Sequence, residues 1–174
     1  MPAKIDWQAN KYFPPPYYPM QAVKEPQTQT AGIKPFGGRG LLVVADDEVH
    51  YRDLISSLLR KSLGDDIDII ATDTYSTAID AIKANAHRLR GVVSDINYYQ
   101  TPESIDTDRC GLWIIGEVNK VNPQTPVVIQ SSLKEYGEHP AIKGRAAFIH
   151  KDDLEARGVD IFRRVFGHKL NDKI

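Results

Sequence analysis

The sequence predicts an α/β domain in which a doubly wound, five-stranded parallel sheet carries helices on both faces. Two observations predict this. From residue 41 onward, short apolar runs alternate with stretches of helical apolar spacing, five times over. The first of those runs, Leu41–Ala45, is continuously apolar, as a parallel strand covered on both faces requires.

The elements follow in order. Leu41, Leu42, Val43, Val44 and Ala45 form the first strand. Tyr51, Leu54, Ile55, Leu58 and Leu59 then recur at the spacing of one helix face, and Gly64 with Asp65 ends that helix. Ile67, Ile69, Ile70 and Ala71 read as the second strand. Tyr75, Ala78, Ile79 and Ile82 give a second amphipathic helix, with Thr74 as its cap. Val92, Val93 and Ser94 make the third strand, and a long loop runs from Ile96 to Cys110. Ile114, Ile115, Val118 and Val121 mark helix three, and Pro126 to Ile129 marks strand four. A short fourth helix is expected over roughly Lys134 to Lys143. Ala147, Phe148 and Ile149 form strand five. The last helix spans Leu154 to Leu170, with Phe162, Val165 and Phe166 inward and Gly158 weakening its first turn. Right-handed crossovers restrict the topology of such a chain, and the flavodoxin-like strand order 2-1-3-4-5 suits five units.

Residues 1–38 read differently. They hold seven of the 11 prolines, interleaved with Trp7, Tyr12, Phe13, Tyr17, Tyr18 and Phe36. Such a run makes neither a regular helix nor a central strand, and polyproline II or irregular coil is expected. Gly37, Gly38 and Gly40 mark the boundary, so the division is a 1–38 extension and a 39–174 domain.

Composition narrows the function classes. The 174 residues carry a net charge of -1, so no bulk basic field argues for direct binding of nucleic acid. No apolar run approaches the ~20 residues needed to span a bilayer, and no secretory signal opens the chain. Cys110 is the single cysteine, which excludes an intrachain disulfide and a cysteine-based metal site and fits a cytoplasmic setting.

In an open parallel sheet the strands end on one edge, and ligands bind there. Asp46, Asp47 and Glu48 follow strand one, and Asp95 follows strand three. Ser131 and Ser132 follow strand four, and Lys151 follows strand five. Clustered carboxylates raise one another's pKa unless a cation intervenes, and Mg²⁺ suits a few carboxylates, waters and a phosphate. A lysine can pair with a phosphate oxygen, and a hydroxyl can donate to another. Such a set suits a phosphoryl group carried on one carboxylate. Taken singly, Asp46 and Asp47 read as helix caps, Glu48 as a first-turn acid, Phe148 as core and Cys110 as a loop thiol. His50 and His150 are expected on the surface near the crevice, and the other histidines lack metal-ligand spacing.

Four segments in order, VVADDE at 43–48, VVSD at 92–95, PVVIQSS at 126–132 and FIHK at 148–151, resemble the response-regulator receiver family of two-component phosphorelay signalling, which includes the chemotaxis receivers. The resemblance covers residues 39 to 170. It implies that Asp95 is the phosphoacceptor and that Asp46, Asp47, Asp95 and the backbone carbonyl of Asn97 hold Mg²⁺. Ser131 would bond a phosphoryl oxygen and move with it, Lys151 would pair with the group, and Phe148 would be the aromatic switch. Asn97 and Leu133 stand at positions that tune hydrolysis in the family. The implied partner is a sensor histidine kinase or phosphotransfer protein, with dimerisation through helix four, strand five and helix five. The implied protein is a cytoplasmic signalling switch with no enzymatic output of its own, either stand-alone or the N-terminal piece of a longer chain.

Three departures from the family pattern stand out. Asp152 replaces the usual proline after the lysine. Gly111, the glycine that opens helix three, lies 16 positions after Asp95, so the intervening loop carries an insertion. Ser131 replaces the commoner threonine. Two rival readings follow: a pseudo-receiver that binds proteins without being phosphorylated, and an aspartate-nucleophile phosphohydrolase. The second would want an acid two residues after the nucleophile, where Asn97 stands.

Overall fold

The computed structural model describes residues 39–167. The 1–38 extension, Lys169 and Leu170 therefore lie outside the described residues. The central sheet contains β1 (Gly40–Ala45), β2 (Ile67–Thr72), β3 (Leu89–Asp95), β6 (Val127–Ser131) and β7 (Ala147–His150). Between β3 and β6 a two-stranded hairpin, β4 (Tyr98–Tyr99) and β5 (Thr107–Asp108), interrupts the alternation. The helices are α1 (Val49–Leu63), α2 (Tyr75–Ala84), α3 (Cys110–Val121) and α4 (Leu154–Phe166). None of them is long and apolar enough to cross a membrane.

The sheet order is β2-β1-β3-β6-β7, and the four pairings are all parallel. Counted among the five sheet strands, this is the expected 2-1-3-4-5. Central β1 is sealed on both sides: Leu41, Leu42, Val43, Val44 and Ala45 are wholly buried. One face of the sheet meets α1 and α4 through Leu42, Val44, Val93, Val128, Leu59 and Phe162. Helices α2 and α3 pack against each other elsewhere on the sheet.

Local signals set several boundaries. Gly64 takes φ 83°, in the left-handed region, and its N–H bonds the Arg60 carbonyl at 2.8 Å to stop α1. The Thr74 hydroxyl accepts the Thr77 N–H at 3.4 Å, so Thr74 caps α2. Gly158 lies inside α4 and is buried, and a Cβ there would lie 2.9 Å from the Leu58 side chain. The small residue permits the close approach of α1 and α4.

Two expectations need correction. The fourth helix is absent as such: Lys134–Glu138 forms a short 3₁₀ segment, followed by turns over residues 140–145. Pro140 explains this, because the residue before proline is driven to extended backbone, and His139 has ψ 132°. The long loop after Asp95 is not structureless, since it carries the β4–β5 hairpin. Tyr98 is wholly buried, and its ring hydroxyl lies 3.4 Å from Ser94 Oγ. The Thr74–Tyr99 bridge and the bond from Ser76 N–H to the Gln100 carbonyl tie the hairpin to the start of α2.

Candidate functional site

Parallel pairing brings the ends of β1, β3, β6 and β7 to one edge, and each end delivers one side chain. Asp46 follows β1, Asp95 is the last residue of β3, Ser131 is the last residue of β6, and Lys151 follows β7. Asp46, Asp95, Ser131 and Lys151 are all buried, and Asp47 is half-buried at the mouth.

Carboxylate oxygens of Asp46, Asp47 and Asp95 lie within 4.8 Å of one another. Lys151 Nζ stands between two of these acids, 3.1 Å from Asp46 Oδ2 and 3.1 Å from Asp95 Oδ2. It also lies 3.4 Å from Glu48 Oε1 and sits over the Tyr51 ring, 3.9 Å from its centroid. Backbone groups orient the acids. The Ile96 N–H donates to Asp95 Oδ1 at 2.7 Å, and the Glu48 N–H donates to Asp46 Oδ1 at 2.8 Å. Inside the sheet, the Gln130 amide donates to Asp46 Oδ2 at 2.6 Å.

Electrostatics follow from this crowding. Burial pushes Asp95 up to about 7; Lys151 opposes that rise and Asp46 adds to it. Asp46 is raised by burial, against the pull of Lys151 and the Glu48 N–H. Asp47 is raised by burial too, and by neighbouring Glu48. Burial pulls the Lys151 ammonium down, but Asp95 and Asp46 outweigh it and leave it above its ordinary value.

The donor set fits a hard divalent cation. Oxygen atoms of three carboxylates lie within 4.8 Å of one another, the donor type a hard cation takes, and among the described residues no sulfur or imidazole joins the cluster. Gln130 Oε1 is buried with no hydrogen-bond partner among the described residues, while its Nε2 is the atom that faces Asp46.

The other expected residues are placed less directly. Ser131 Oγ accepts the Leu133 N–H at 3.1 Å and makes no hydrogen bond to Asp95 or Lys151. Phe148 is half-buried beside Gly137, where a Cβ would meet its ring at 3.0 Å. Asn97 is half-buried two residues past the end of β3, and Leu133 is exposed. Glu48 is the residue preceding α1 rather than a first-turn acid, and its carboxylate reaches Lys151. His50 is exposed as expected, but His150 is buried, a correction explained by its ring bonding to Ser132 and Asp152. Cys110 is also buried; it opens α3 and its thiol meets the Tyr98 carbonyl. Asp152 projects outward, 84% exposed, with Oδ2 3.5 Å from the His150 ring.

Sequence reasoning missed Gln130, Tyr51 and His150. Gln130 carried a signal: a long polar side chain inside an apolar strand calls for a buried partner. Tyr51 sits on the apolar stripe of α1, and nothing in the sequence separates its packing role from its contact with the lysine.

No family model matches the sequence, and no curated protein matches it. Solved structures do. A response regulator receiver protein from Sinorhizobium medicae is 20% identical with a TM-score of 0.52, the match covering 72% of this chain and 94% of that one. The chemotaxis response regulator CheY4 of Vibrio cholerae is 16% identical with a TM-score of 0.52, over 71% of this chain and 98% of that one. The response regulator TrrA from Thermotoga maritima, solved in complex with Mg²⁺ and BeF, is 15% identical with a TM-score of 0.51, over 71% of this chain and 98% of that one. Sheet order, strand-end acids and these likenesses agree: residues 39–167 have the fold of response-regulator receiver domains.

Proposed function

We propose that the chain is a phosphorylation-dependent signalling switch whose acceptor is Asp95. One observation carries the reading: Asp95, Asp46 and Asp47 converge within 4.8 Å while Lys151 Nζ lies 3.1 Å from Asp95. In the reaction an Asp95 oxygen attacks the phosphorus of a phosphohistidine or a small acyl phosphate. A P–O bond forms to Asp95, the bond to the donor breaks, and the donor leaves with that electron pair. Mg²⁺, when bound, supplies charge neutralisation for the transferring group.

The chain's own residues do the rest. Asp46, Asp47, Asp95 and the Asn97 carbonyl would hold the cation. Lys151 is already paired with Asp95 and would follow the new phosphoryl oxygens as a compact positive charge. Ser131 would leave its bond to the Leu133 N–H and donate to a phosphoryl oxygen. Phe148, beside Gly137, would respond to that movement. The signal would leave through the surface of the 134–138 turn, β7 and α4, towards a partner or a second copy. The phosphoryl source would be a sensor histidine kinase or phosphotransfer protein, in the cytoplasm.

The test is direct. Full-length protein is incubated with Mg²⁺ and acetyl phosphate, and intact mass is read beside the Asp95→Asn variant. A single phosphoryl adduct, absent in the variant and without Mg²⁺, is the expected result. No adduct would favour a constitutive protein-binding module, and sustained turnover of phosphate esters would favour a hydrolase.

A further inference from the structure

The loops carrying Ser131 and Lys151 leave different strands, yet one buried side chain joins them. His150 is the last residue of β7 and pairs in register with Ser131 of β6. Its Nε2 lies 2.9 Å from the Ser132 carbonyl oxygen, just past the hydroxyl residue. Its Nδ1 lies 3.3 Å from the Asp152 backbone N, just past the lysine. A carbonyl can only accept and a backbone N–H can only donate, so these two bonds call for the hydrogen on Nε2 and the lone pair on Nδ1, against the pull of Asp152 Oδ2, 3.5 Å from the same Nδ1.

The second bond bears on the departure at 152. A proline there would bring no N–H and a fixed φ. Asp152 brings an N–H at the start of a tight turn, and the His150 ring accepts it while the Lys151–Asp153 segment winds as a 3₁₀ turn. Lys151, between these two residues, is held buried against Asp46 and Asp95. His150 touches neither of those acids, so its influence on them runs only through the two loops.

We propose that His150 is a positioning residue whose ring ties the Ser131 loop to the Lys151 turn, so that hydroxyl and ammonium meet an incoming phosphoryl group as one pre-set unit. This rests on the phosphoacceptor reading above. The division of labour it implies is specific. Cation binding belongs to the acids and does not need the ring, whereas binding of the phosphoryl group does.

The test uses the full chain with His150→Phe, His150→Asn and His150→Gln. Mg²⁺ affinity is measured alone, and beryllofluoride affinity is measured at saturating Mg²⁺. His150→Phe keeps an aromatic ring, slightly larger, and removes both bonds, and weakens beryllofluoride binding about tenfold, the scale of one or two lost hydrogen bonds. Its Mg²⁺ affinity stays within about twofold, because no polar partner of the cation site is lost. His150→Asn retains an acceptor near the Nδ1 position, His150→Gln retains a donor near the Nε2 position, and each recovers part of the loss. If His150→Phe does not fold, the Asn and Gln variants carry the same comparison. Unchanged beryllofluoride affinity, or an equal loss of Mg²⁺ affinity, overturns the proposal. Ring ¹⁵N shifts of the wild-type protein give an arm that does not depend on phosphoryl chemistry. A hydrogen on Nε2 supports the clamp, and a hydrogen on Nδ1 overturns it. Failure of the wild-type protein to bind beryllofluoride would instead sink the phosphoacceptor reading and leave the ring measurement to decide the clamp.

Discussion

The two loops that depart most from a plain receiver pattern, one after Asp95 and one after Lys151, solve different problems. The first is long and largely exposed, and its tip residue Ile105 is 91% exposed. The second is three residues long, and its lysine is buried. The long one leaves the site intact because its two ends are fastened together: the Gly111 N–H bonds the Ile96 carbonyl at 3.0 Å. The short one has no length to spare, and it is held by a side chain from the preceding strand, His150. Length matters less to a site than where the chain re-enters it, since the cost of a longer loop grows only slowly.

The largest expected effect breaks the re-entry point. A Cβ at Gly111 would lie 2.0 Å from the Asp95 carbonyl oxygen, which is backbone and cannot swing away. Gly111→Ala should cost ~3 kcal/mol in chemical denaturation, as overpacking against backbone does. It should also displace Asp95 directly, because the clash falls on the backbone of that residue.

Next comes the charge of Asp95. Without Mg²⁺, folded Asp95 titrates at about 7 against 3.8 for the ordinary group, so the folded state holds a proton that the unfolded chain releases. That contribution to stability is complete below 3.8 and is lost as pH rises through about 7. Asp95→Asn should flatten this slope and be more stable than wild type at alkaline pH by ~2 kcal/mol. Urea titrations across the pH range in chelator provide the check.

The side anchor of the insertion is weaker. Thr74 caps α2 and bridges Tyr99, and Thr74→Ala should cost about 1 kcal/mol of thermal stability. The tip should matter least: Ile105→Ser removes a side chain with almost no buried area and should shift stability by less than about 0.5 kcal/mol. A larger loss there would mean that the insertion is held along its length and not at its ends.

The same contrast explains what was legible in the sequence. The five strands and four of the helices were, because apolar spacing reports burial on a regular element. The acids and Lys151 were, because strand ends in a parallel sheet share an edge and their positions can be counted. The fourth helix was not, because Pro140 holds His139 in extended backbone and the expected span ran across it. Gln130 and His150 were not assigned roles because their partners, Asp46 and Ser132, lie just past the ends of other strands. Only register brings them within bonding distance. The β4–β5 hairpin escaped because its pairing rests on two residues per strand, too few to leave a periodic trace.

The most direct measurement locates the phosphoryl group. Borohydride reduces an aspartyl-phosphate to homoserine at the residue that carried it. After treatment with Mg²⁺ and acetyl phosphate, peptide mass spectrometry should find homoserine at position 95 and at no other aspartate. Reduction at Asp46 or Asp47, or at no residue while the protein remains folded and binds Mg²⁺, would contradict the account.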